Sequence, residues 1–231
     1  LRCFLGFIKL LNSLSFVSFI LIVKSGFYTF IRVILAVAIG YMWTIPVGVK
    51  IGINPKVSKY AQPIVQILAS IPATAIFPII LLFFLNFKGG LNISSIILMA
   101  LGTQWYLLFN VIGGANQIPK DLIEVSKIFD VKGKKWWSIL AIPAIFPSLI
   151  TGGITAWGGA WNSSIVSEYV NFGGKVYQIT GLGALISSAT ESGNVSLLAS
   201  STLFMAIIVV LFNRLFWRKM YNLSEEKYHL E

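Results

Sequence analysis

Long stretches without a charged side chain constrain the fold of this 231-residue chain most strongly. Four of them cover residues 60–87, 89–119, 136–167 and 192–213, and residues 26–49 contain only Arg32. A helix that crosses a bilayer needs about 20 mostly apolar residues, so each stretch is long enough to span one. The ten-residue blocks of alternating polarity that are typical of outer-membrane barrels do not occur in the sequence. We therefore predict an all-α polytopic membrane protein.

The apolar stretches predict about six transmembrane helices. The first is the weakest, because it contains Lys9 and several serines, and it lacks the small-residue cleavage site of a removed signal peptide. Residues 167–193 are predicted to form an external segment rich in Gly and Ser, and the polar tail after Arg218 is expected to fray. The six helices are predicted at residues 3–23, 27–49, 61–86, 91–116, 140–166 and 194–216.

Lys and Arg are distributed unevenly between the two sides of these helices. One side carries thirteen of them, and the other carries only Lys24, Lys88 and Lys175. Because cytoplasmic loops are rich in Lys and Arg, both termini and the loop at 118–135 are predicted to be cytoplasmic. This topology accounts for the net charge of +10, so no nucleic-acid partner is required. The thirteen are Arg2, Lys50, Lys56, Lys59, Lys120, Lys127, Lys132, Lys134, Lys135, Arg214, Arg218, Lys219 and Lys227.

The charged loop at 118–135 has the pattern of an amphipathic helix. Pro119 suits the first turn of a helix, and Asp121 and Glu124 favour the positive end of its dipole. We expect two short helices here, broken near residues 130–133, on the cytoplasmic side. An interfacial helix lying on the bilayer is the alternative, and length and charge do not separate the two. Four apolar residues at helical spacing form one stripe that faces away from water: Leu122, Val125, Ile128 and Phe129.

The residues needed for catalysis or metal binding are missing from the sequence. A single Cys3 and a single His229 exclude a disulfide framework and a Cys/His metal site. No phosphate-binding loop of the G-x-x-x-x-G-K-[ST] type occurs, so an ATPase that drove this protein would be a separate polypeptide. We predict no cofactor and no enzymatic activity. The scarcity of deep acidic residues also counts against a secondary transporter coupled to protons or sodium.

Polar residues and prolines inside the apolar stretches are candidates for a translocation path. Arg32, like Lys9, lies near a helix end, so snorkelling to the interface is its simpler explanation. Glu168 closes the fifth helix after a run of polar residues, which is either a wetted helix end or part of a path, with the wetted end favoured. Pro72 and Pro78 either shape the packing of the third helix or let it line the path. The path candidates are Pro72, Pro78, Asn110, Asn162, Ser163 and Glu168.

The cytoplasmic loop resembles the EAA loop of binding-protein-dependent ABC importer permeases, the MetI-like family. Asn110 and Gly114 precede Glu124 at the spacing of that family, and Ile142-Pro143 and Pro147 follow it. Asp130 occupies the position where the family has Gly. Because Asp tolerates the left-handed conformation, we expect the turn to form at Asp130. The alternative is that the helix breaks at Gly133. Val125 and Ser126 replace the two alanines of the family motif. The resemblance implies that the following loop residues contact the ATPase: Asp121, Glu124, Val125, Ser126, Ile128, Phe129, Asp130, Gly133 and Pro143.

Further matches run in order along residues 29–217 and resemble the nitrate, sulfonate and taurine branch, including its duplicated permeases. They include Thr29 with Arg32, Ala160-Trp161 followed by Glu168, and Gly181-x-Gly183. The resemblance implies a permease subunit of an ATP-driven importer of a small anion such as nitrate, sulfonate or taurine. Its implied partners are an ABC ATPase, a second permease unit, an extracytoplasmic solute-binding protein docking near 167–193, and the lipid bilayer of a prokaryotic cell membrane. A secondary transporter or channel and a membrane-bound enzyme are the competing classes.

The resemblance also suggests a division of the chain into three regions. An N-terminal transmembrane helix is expected at 1–25, the MetI-like permease core at 26–217 and a cytoplasmic tail at 218–231. The chain begins with Leu rather than Met, as expected for a fragment or for the downstream half of a longer, duplicated permease.

Overall fold

The computed structural model describes residues 16–227, and almost every apolar stretch in this range is helical. The first half contains α1 Phe16–Gly52, α2 Pro55–Ala69, α3 Ala73–Phe84, α4 Gly90–Asn116 and α5 Lys120–Ile128. α6 Gly133–Trp136 and a π-helical turn, Trp137–Ala141, lead directly into α7 Ile142–Ser167. The strands β1 Tyr169–Phe172 and β2 Lys175–Gln178 follow. The chain continues through α8 Leu182–Glu191, α9 Val195–Phe212, a second π-helical turn, Asn213–Trp217, and α10 Arg218–Lys227.

Four helical segments in the described range are long and apolar enough to cross a membrane. They are Phe16–Gly52, Gly90–Asn116, Gly133–Ser167 and Val195–Lys227, and the broken pair formed by α2 and α3 makes a fifth if it counts as one span. The prediction of an all-α membrane protein is confirmed. The count of six remains a prediction, because residues 3–15 of the first predicted helix lie outside the described residues.

The predicted break between the first two helices is wrong. α1 runs through Lys24, Ser25 and Gly26 without interruption, over 37 residues or about 55 Å. Gly26 is a packing position rather than a turn, because a Cβ built there would lie 2.8 Å from Cε1 of Phe204. Lys24 is therefore an exposed helical residue and not part of an external loop.

The predicted third helix, 61–86, is divided into α2 and α3 by a break at residues 70–72. The residue before a proline is disfavoured in a helix, which places the break at Ile71-Pro72. Ser70 ends α2, and its hydroxyl donates a hydrogen bond of 2.7 Å to the Ile67 carbonyl. Pro78, by contrast, lies inside α3 without ending it.

The Gly- and Ser-rich segment at 167–193 contains two strands and a helix. β1 and β2 form an antiparallel hairpin in which Phe172 pairs with Lys175. Gly173 and Gly174 connect the strands with φ values of 61° and 74°, as a two-residue turn of this hand requires. The Tyr169 hydroxyl donates a hydrogen bond to the Glu191 carboxylate at the end of α8, and this bond raises the pKa of Tyr169.

The polar tail does not fray where it was expected to. The chain stays helical from Asn213 to Lys227, and residues 228–231, including His229, lie outside the described range. Trp217 holds this region in place, because its ring is buried and lies against Gly153. A Cβ at Gly153 would come within 2.3 Å of Trp217 Cη2, so glycine is required for this contact.

The described residues form two compact units, and each has its own interior. The first unit contains 16–36, 73–102 and 158–212, and the second contains 37–72, 103–157 and 213–227. In the second unit α1 and α4 pack closely at Gly52, where a Cβ would lie 2.5 Å from Ala115 Cβ and 2.7 Å from the Ile112 carbonyl oxygen. Small residues allow such approaches between membrane helices, where van der Waals packing drives association. The buried cluster of this unit comprises Val49, Val111, Ala115, Ile118, Ala141, Ile145 and Leu149.

Replacing Gly52 with alanine should destabilise the second unit. The new methyl group overlaps backbone and Cβ atoms of α4, and overpacking of this kind costs about 1–3 kcal/mol. The matched control is Gly158→Ala, because a Cβ at Gly158 meets nothing within 4 Å. Thermal unfolding of the purified protein in detergent should show a lower midpoint for Gly52→Ala only. Equal midpoints for the two variants would contradict the close contact.

Candidate functional site

The inner face of α5 packs on the core of the second unit. Ile118, just before the helix, is buried, and Ile123 packs against the same cluster. Ser126 is also buried, and its hydroxyl donates a hydrogen bond of 2.7 Å to the Ile123 carbonyl. These contacts hold α5 in one orientation, so its other face has a defined direction.

The outer face of α5 is an exposed apolar surface, which we call the loop stripe and define as Leu122, Val125, Ile128 and Phe129. Ile128 and Phe129 are 79% and 76% exposed, and Leu122 and Val125 are 40% and 45% exposed. Asp121 and Glu124 are exposed on the same short helix. Contiguous apolar surface of this kind marks a protein or membrane contact. The four residues thus share one face, as predicted, but that face is exposed, whereas the sequence predicted that it faces away from water.

A Schellman motif ends α5 at Asp130. The Val131 N–H donates to the Ser126 carbonyl at 2.8 Å, and the Asp130 N–H donates to the Lys127 carbonyl at 3.1 Å, which are the two bonds of this motif. Asp130 has a φ of 51°, in the left-handed region that usually requires glycine. Asp130 therefore makes the turn, and Gly133, with a φ of 59°, begins α6. The sequence left open whether Asp130 or Gly133 forms the break, and in the structure both residues adopt the left-handed conformation.

The second short helix of the loop is not a separate element. α6 continues through the π turn Trp137–Ala141 into α7, so residues 133–167 form one helical segment. Pro143 lies in the first turn of α7 and has no N–H to donate. The Ile142 N–H bonds to the Trp137 carbonyl five residues back, a wide turn that accommodates the proline.

A buried ion pair in the first unit joins α1 to the end of α7. Arg32 Nη1 lies 2.7 Å from Glu168 Oε1, and the two residues are only 5% and 1% exposed. The expectation that Arg32 snorkels is wrong, and so is the favoured interpretation of Glu168 as a wetted helix end. Each charge instead neutralises the other, because an isolated charge in a membrane segment is costly.

Hydrogen bonds from neighbouring segments complete the shell of Glu168. The Thr29 hydroxyl donates to Oε1 at 2.8 Å, and the Gly183 N–H donates to Oε2 at 2.9 Å. The Leu182 N–H donates in turn to the Thr29 hydroxyl oxygen at 2.8 Å. The carboxylate thus lies at the N-terminus of α8, where the helix dipole favours a negative charge.

The Nε and Nη2 groups of the Arg32 guanidinium also have hydrogen-bond acceptors. Nε and Nη2 donate to Asn92 Oδ1 at 3.1 and 2.8 Å, and Nη2 also donates to the Thr180 carbonyl at 2.8 Å. Close packing also explains why positions 181 and 183 are both glycine. A Cβ at Gly181 would lie 2.1 Å from Glu168 Oε2, and one at Gly183 would lie 2.2 Å from the Ser164 carbonyl oxygen.

The remaining path candidates occupy different positions in the two units. In the first unit Asn162 is exposed, Pro78 is half-buried inside α3, and Ser163 is half-buried with Oγ 3.1 Å from a Cβ built at Gly102. In the second unit Pro72 is exposed at the helix break, and Asn110 Nδ2 donates to the Tyr106 carbonyl at 2.8 Å. Within residues 16–227, no group of three or more His, Cys, Asp or Glu side chains could hold a metal ion.

The buried pair should show strong energetic coupling. Removing one partner leaves an uncompensated buried charge, which costs about 3–5 kcal/mol. Arg32→Gln and Glu168→Gln should each lower the midpoint of thermal unfolding strongly, and the double variant should lose less than the sum of the two. A double-mutant cycle in detergent measures this coupling. Additive losses would show that the two side chains act independently.

The sequence of this chain matches a known protein family. Residues 41–223 match the model of the binding-protein-dependent transport system inner membrane component. The chain is 30% identical to the nitrate import permease protein NrtB of Synechococcus elongatus, over 75% of the chain and 60% of that protein. It is 28% identical to the bicarbonate transport system permease protein CmpB of Synechocystis sp., over 74% of the chain and 58% of that protein. The chain thus spans about 60% of the length of these relatives.

The fold has a solved counterpart in an inward-facing structure of the MetNI methionine ABC transporter. The TM-score is 0.67 at 20% sequence identity, and the match covers 90% of this chain and 98% of that chain. Identity at this level shows a shared fold alone. The family model, however, matches well over half of the chain, and the chain therefore belongs to the family of binding-protein-dependent transport system inner membrane components.

Proposed function

We propose that this chain is the transmembrane permease subunit of an ATP-binding-cassette importer. It forms part of the path for a small anion and couples to a separate ATPase by alternating access. The named relatives support the solute class, since they include permeases for nitrate, for bicarbonate and, in the Bacillus subtilis protein SsuC, for aliphatic sulfonates. The absence of a phosphate-binding loop from the sequence supports a separate ATPase.

The two-faced geometry of α5 carries this proposal. Its inner face is fixed by Ile123 and Ser126, and its loop stripe is free to bind a partner. A helix anchored in this way transmits a push on its outer face to the core beneath it. The Schellman turn and the continuous segment 133–167 connect the same helix to a membrane span. These features suit a lever moved by the ATPase.

The distribution of Lys and Arg gives the proposed orientation of the chain in the membrane. The Lys-rich loop, the Lys50 end of α1 and α10 lie in the cytoplasm. A cytoplasmic N-terminus, predicted from six separate helices, does not follow from a continuous α1. The hairpin of β1 and β2 then lies on the opposite side, where a solute-loaded binding protein docks near residues 167–193. A second permease unit completes the path, either as another copy or as a fused half.

The buried acid gives little support to an ion-driven alternative. Glu168 is the one buried carboxylate among residues 16–227, and its charge is already paired with Arg32. A proton-coupled transporter needs an acid that binds and releases its proton during transport. The ATP-driven importer is therefore the function that this geometry supports best.

Placing an acid on the loop stripe should uncouple transport. Ile128→Asp removes apolar contact from the proposed ATPase interface, and burying one such side chain contributes about 1.5–3 kcal/mol. We expect at least about tenfold weaker co-purification of the ATPase and a matching loss of ATP-dependent uptake in proteoliposomes. The control is Val176→Asp on β2, another exposed apolar residue, which should leave ATPase binding unchanged.

Two results would count against the proposal. Normal ATPase binding by the Ile128→Asp variant would leave α5 as an interfacial helix only. Concentrative uptake by the chain without an ATPase, driven by a proton or sodium gradient, would favour the secondary-transporter class.

The turn at Asp130 gives an independent test of the lever. Valine at a φ of 51° is strained by about 1–2 kcal/mol, whereas glycine relieves strain. Asp130→Val should therefore reduce ATP-dependent uptake, and Asp130→Gly should preserve it. Uptake is measured in proteoliposomes at equal amounts of inserted protein. If the valine variant transports as well as the glycine variant, the turn does not set the position of α5.

A further inference from the structure

α7 exposes an unusual set of side chains for a helix of membrane-spanning length. Its exposed residues are Thr151, Thr155 and Asn162, all polar and uncharged, and the apolar Val166 in its last turn. The spacings of four and seven residues between the three polar residues place them on one side of the helix. We call this the polar face of α7.

Two other helices of spanning length, α9 and α1, expose mainly apolar surface. On α9 the exposed large residues are Val195, Leu203, Ile207, Val210 and Leu211, and Thr202 is a single polar exception. α1 likewise exposes Phe, Ile and Leu side chains along its length. Such surfaces are suited to hydrocarbon, which offers no hydrogen bonds.

Local hydrogen bonding does not explain the polar face. The Thr151 hydroxyl donates to the Pro147 carbonyl at 3.1 Å, and Thr155 donates to the Thr151 carbonyl at 3.0 Å. A single threonine satisfied in this way is cheap in lipid. A lipid-facing helix, however, would expose large apolar residues along its length, whereas α7 exposes a single one, Val166, in its last turn.

A cavity beside this face contains further neutral hydrogen-bonding groups. It has a volume of about 270 Å³ and is lined in part by Asn110, Gln117 and Ser148. Ser148 lies three residues before Thr151 and therefore near the same side of α7. The lack of a side chain at Gly114 lets Ser148 approach α4, because a Cβ built at Gly114 would lie 2.4 Å from Ser148 Oγ. No acidic side chain lines this cavity.

We infer that the polar face of α7 and the adjoining cavity form a wall of the solute path and contact a small oxoanion through neutral donors. This inference rests on the proposed function and adds the residues that meet the solute. The Asn110 amide has a second N–H besides the one that donates to Tyr106, and the Thr151 and Thr155 hydroxyls donate to an anion by turning away from the Pro147 and Thr151 carbonyls. Without a fixed positive charge these groups also release the anion, as conduction requires. Thr151, Thr155, Asn110 and Ser148 are the specificity-determining residues.

Cysteine accessibility tests whether the polar face is hydrated. In a Cys3→Ser background, Thr151→Cys and Thr155→Cys are compared with Thr202→Cys, the matched control on an apolar face. Only the thiolate reacts, and an apolar environment raises the pKa of a thiol by a unit or more. A charged, membrane-impermeant thiol reagent on membranes open from both sides should label positions 151 and 155 at least about tenfold faster than 202.

The solute contact is tested on the same variants without ATP. Nitrate, bicarbonate and a short alkyl sulfonate are each added before the reagent, and one of them should slow labelling at 151 and 155. In the assembled transporter, Thr151→Val with Thr155→Val should reduce uptake of that anion about three- to tenfold, as expected for the loss of one or two hydrogen bonds. ATPase activity should persist, and Thr202→Val should transport normally.

Each contrary result has a distinct meaning. Labelling at 151 and 155 as slow as at 202 would overturn the inference, because the face would then contact lipid or another protein. Fast labelling that no anion slows, in a transporter that takes up one of the three, would also overturn it. Absence of ATP-driven uptake by the wild-type complex would overturn the proposed function alone, since the labelling assays contain no ATP.

Discussion

Hydrocarbon provides no hydrogen-bond partners, and this constraint decides where each polar group of the protein lies. Arg32 and Glu168 are tolerated in the first unit because every charged atom of the pair has a protein partner, from Thr29 and Asn92 to the N–H of Gly183. The same constraint explains why helices α1 and α9 expose apolar side chains. It also makes the polar residues on α7 informative, because a lipid-facing helix exposes mainly apolar side chains.

Features that depend on neighbours along the chain could be predicted from the sequence. The apolar stretches gave the approximate positions of α4, α7 and α9, and the periodicity of residues 122–129 placed the four residues of the loop stripe on one face, although it did not predict their exposure. Asp130 was expected at the turn because Asp tolerates a left-handed backbone, and it adopts a φ of 51°. In each case the determining physical effect acts over a few residues.

Features that depend on distant contacts were missed. Lys24-Ser25-Gly26 has the composition of a loop, and only the contact of Gly26 with Phe204 shows that the glycine serves helix packing. Arg32 and Glu168 are 136 positions apart, so neither predicts its partner by spacing. One signal was available, since each is an isolated charge of opposite sign in an apolar stretch. Pairing isolated opposite charges would have identified the ion pair, although not Asn92 or Thr180.

The π turn at Trp137–Ala141 has a consequence for how the loop and the membrane helix are oriented. A π turn is an α-helix with one additional residue, and one residue corresponds to a rotation of about 100° around the axis. The side of the helix that α6 presents is therefore not continued by the polar side of α7. Insertion or loss of one residue within 137–141 would turn the cytoplasmic end about the helix axis while leaving the membrane part in place. Such a change would alter the angle of the loop stripe relative to the polar face of α7.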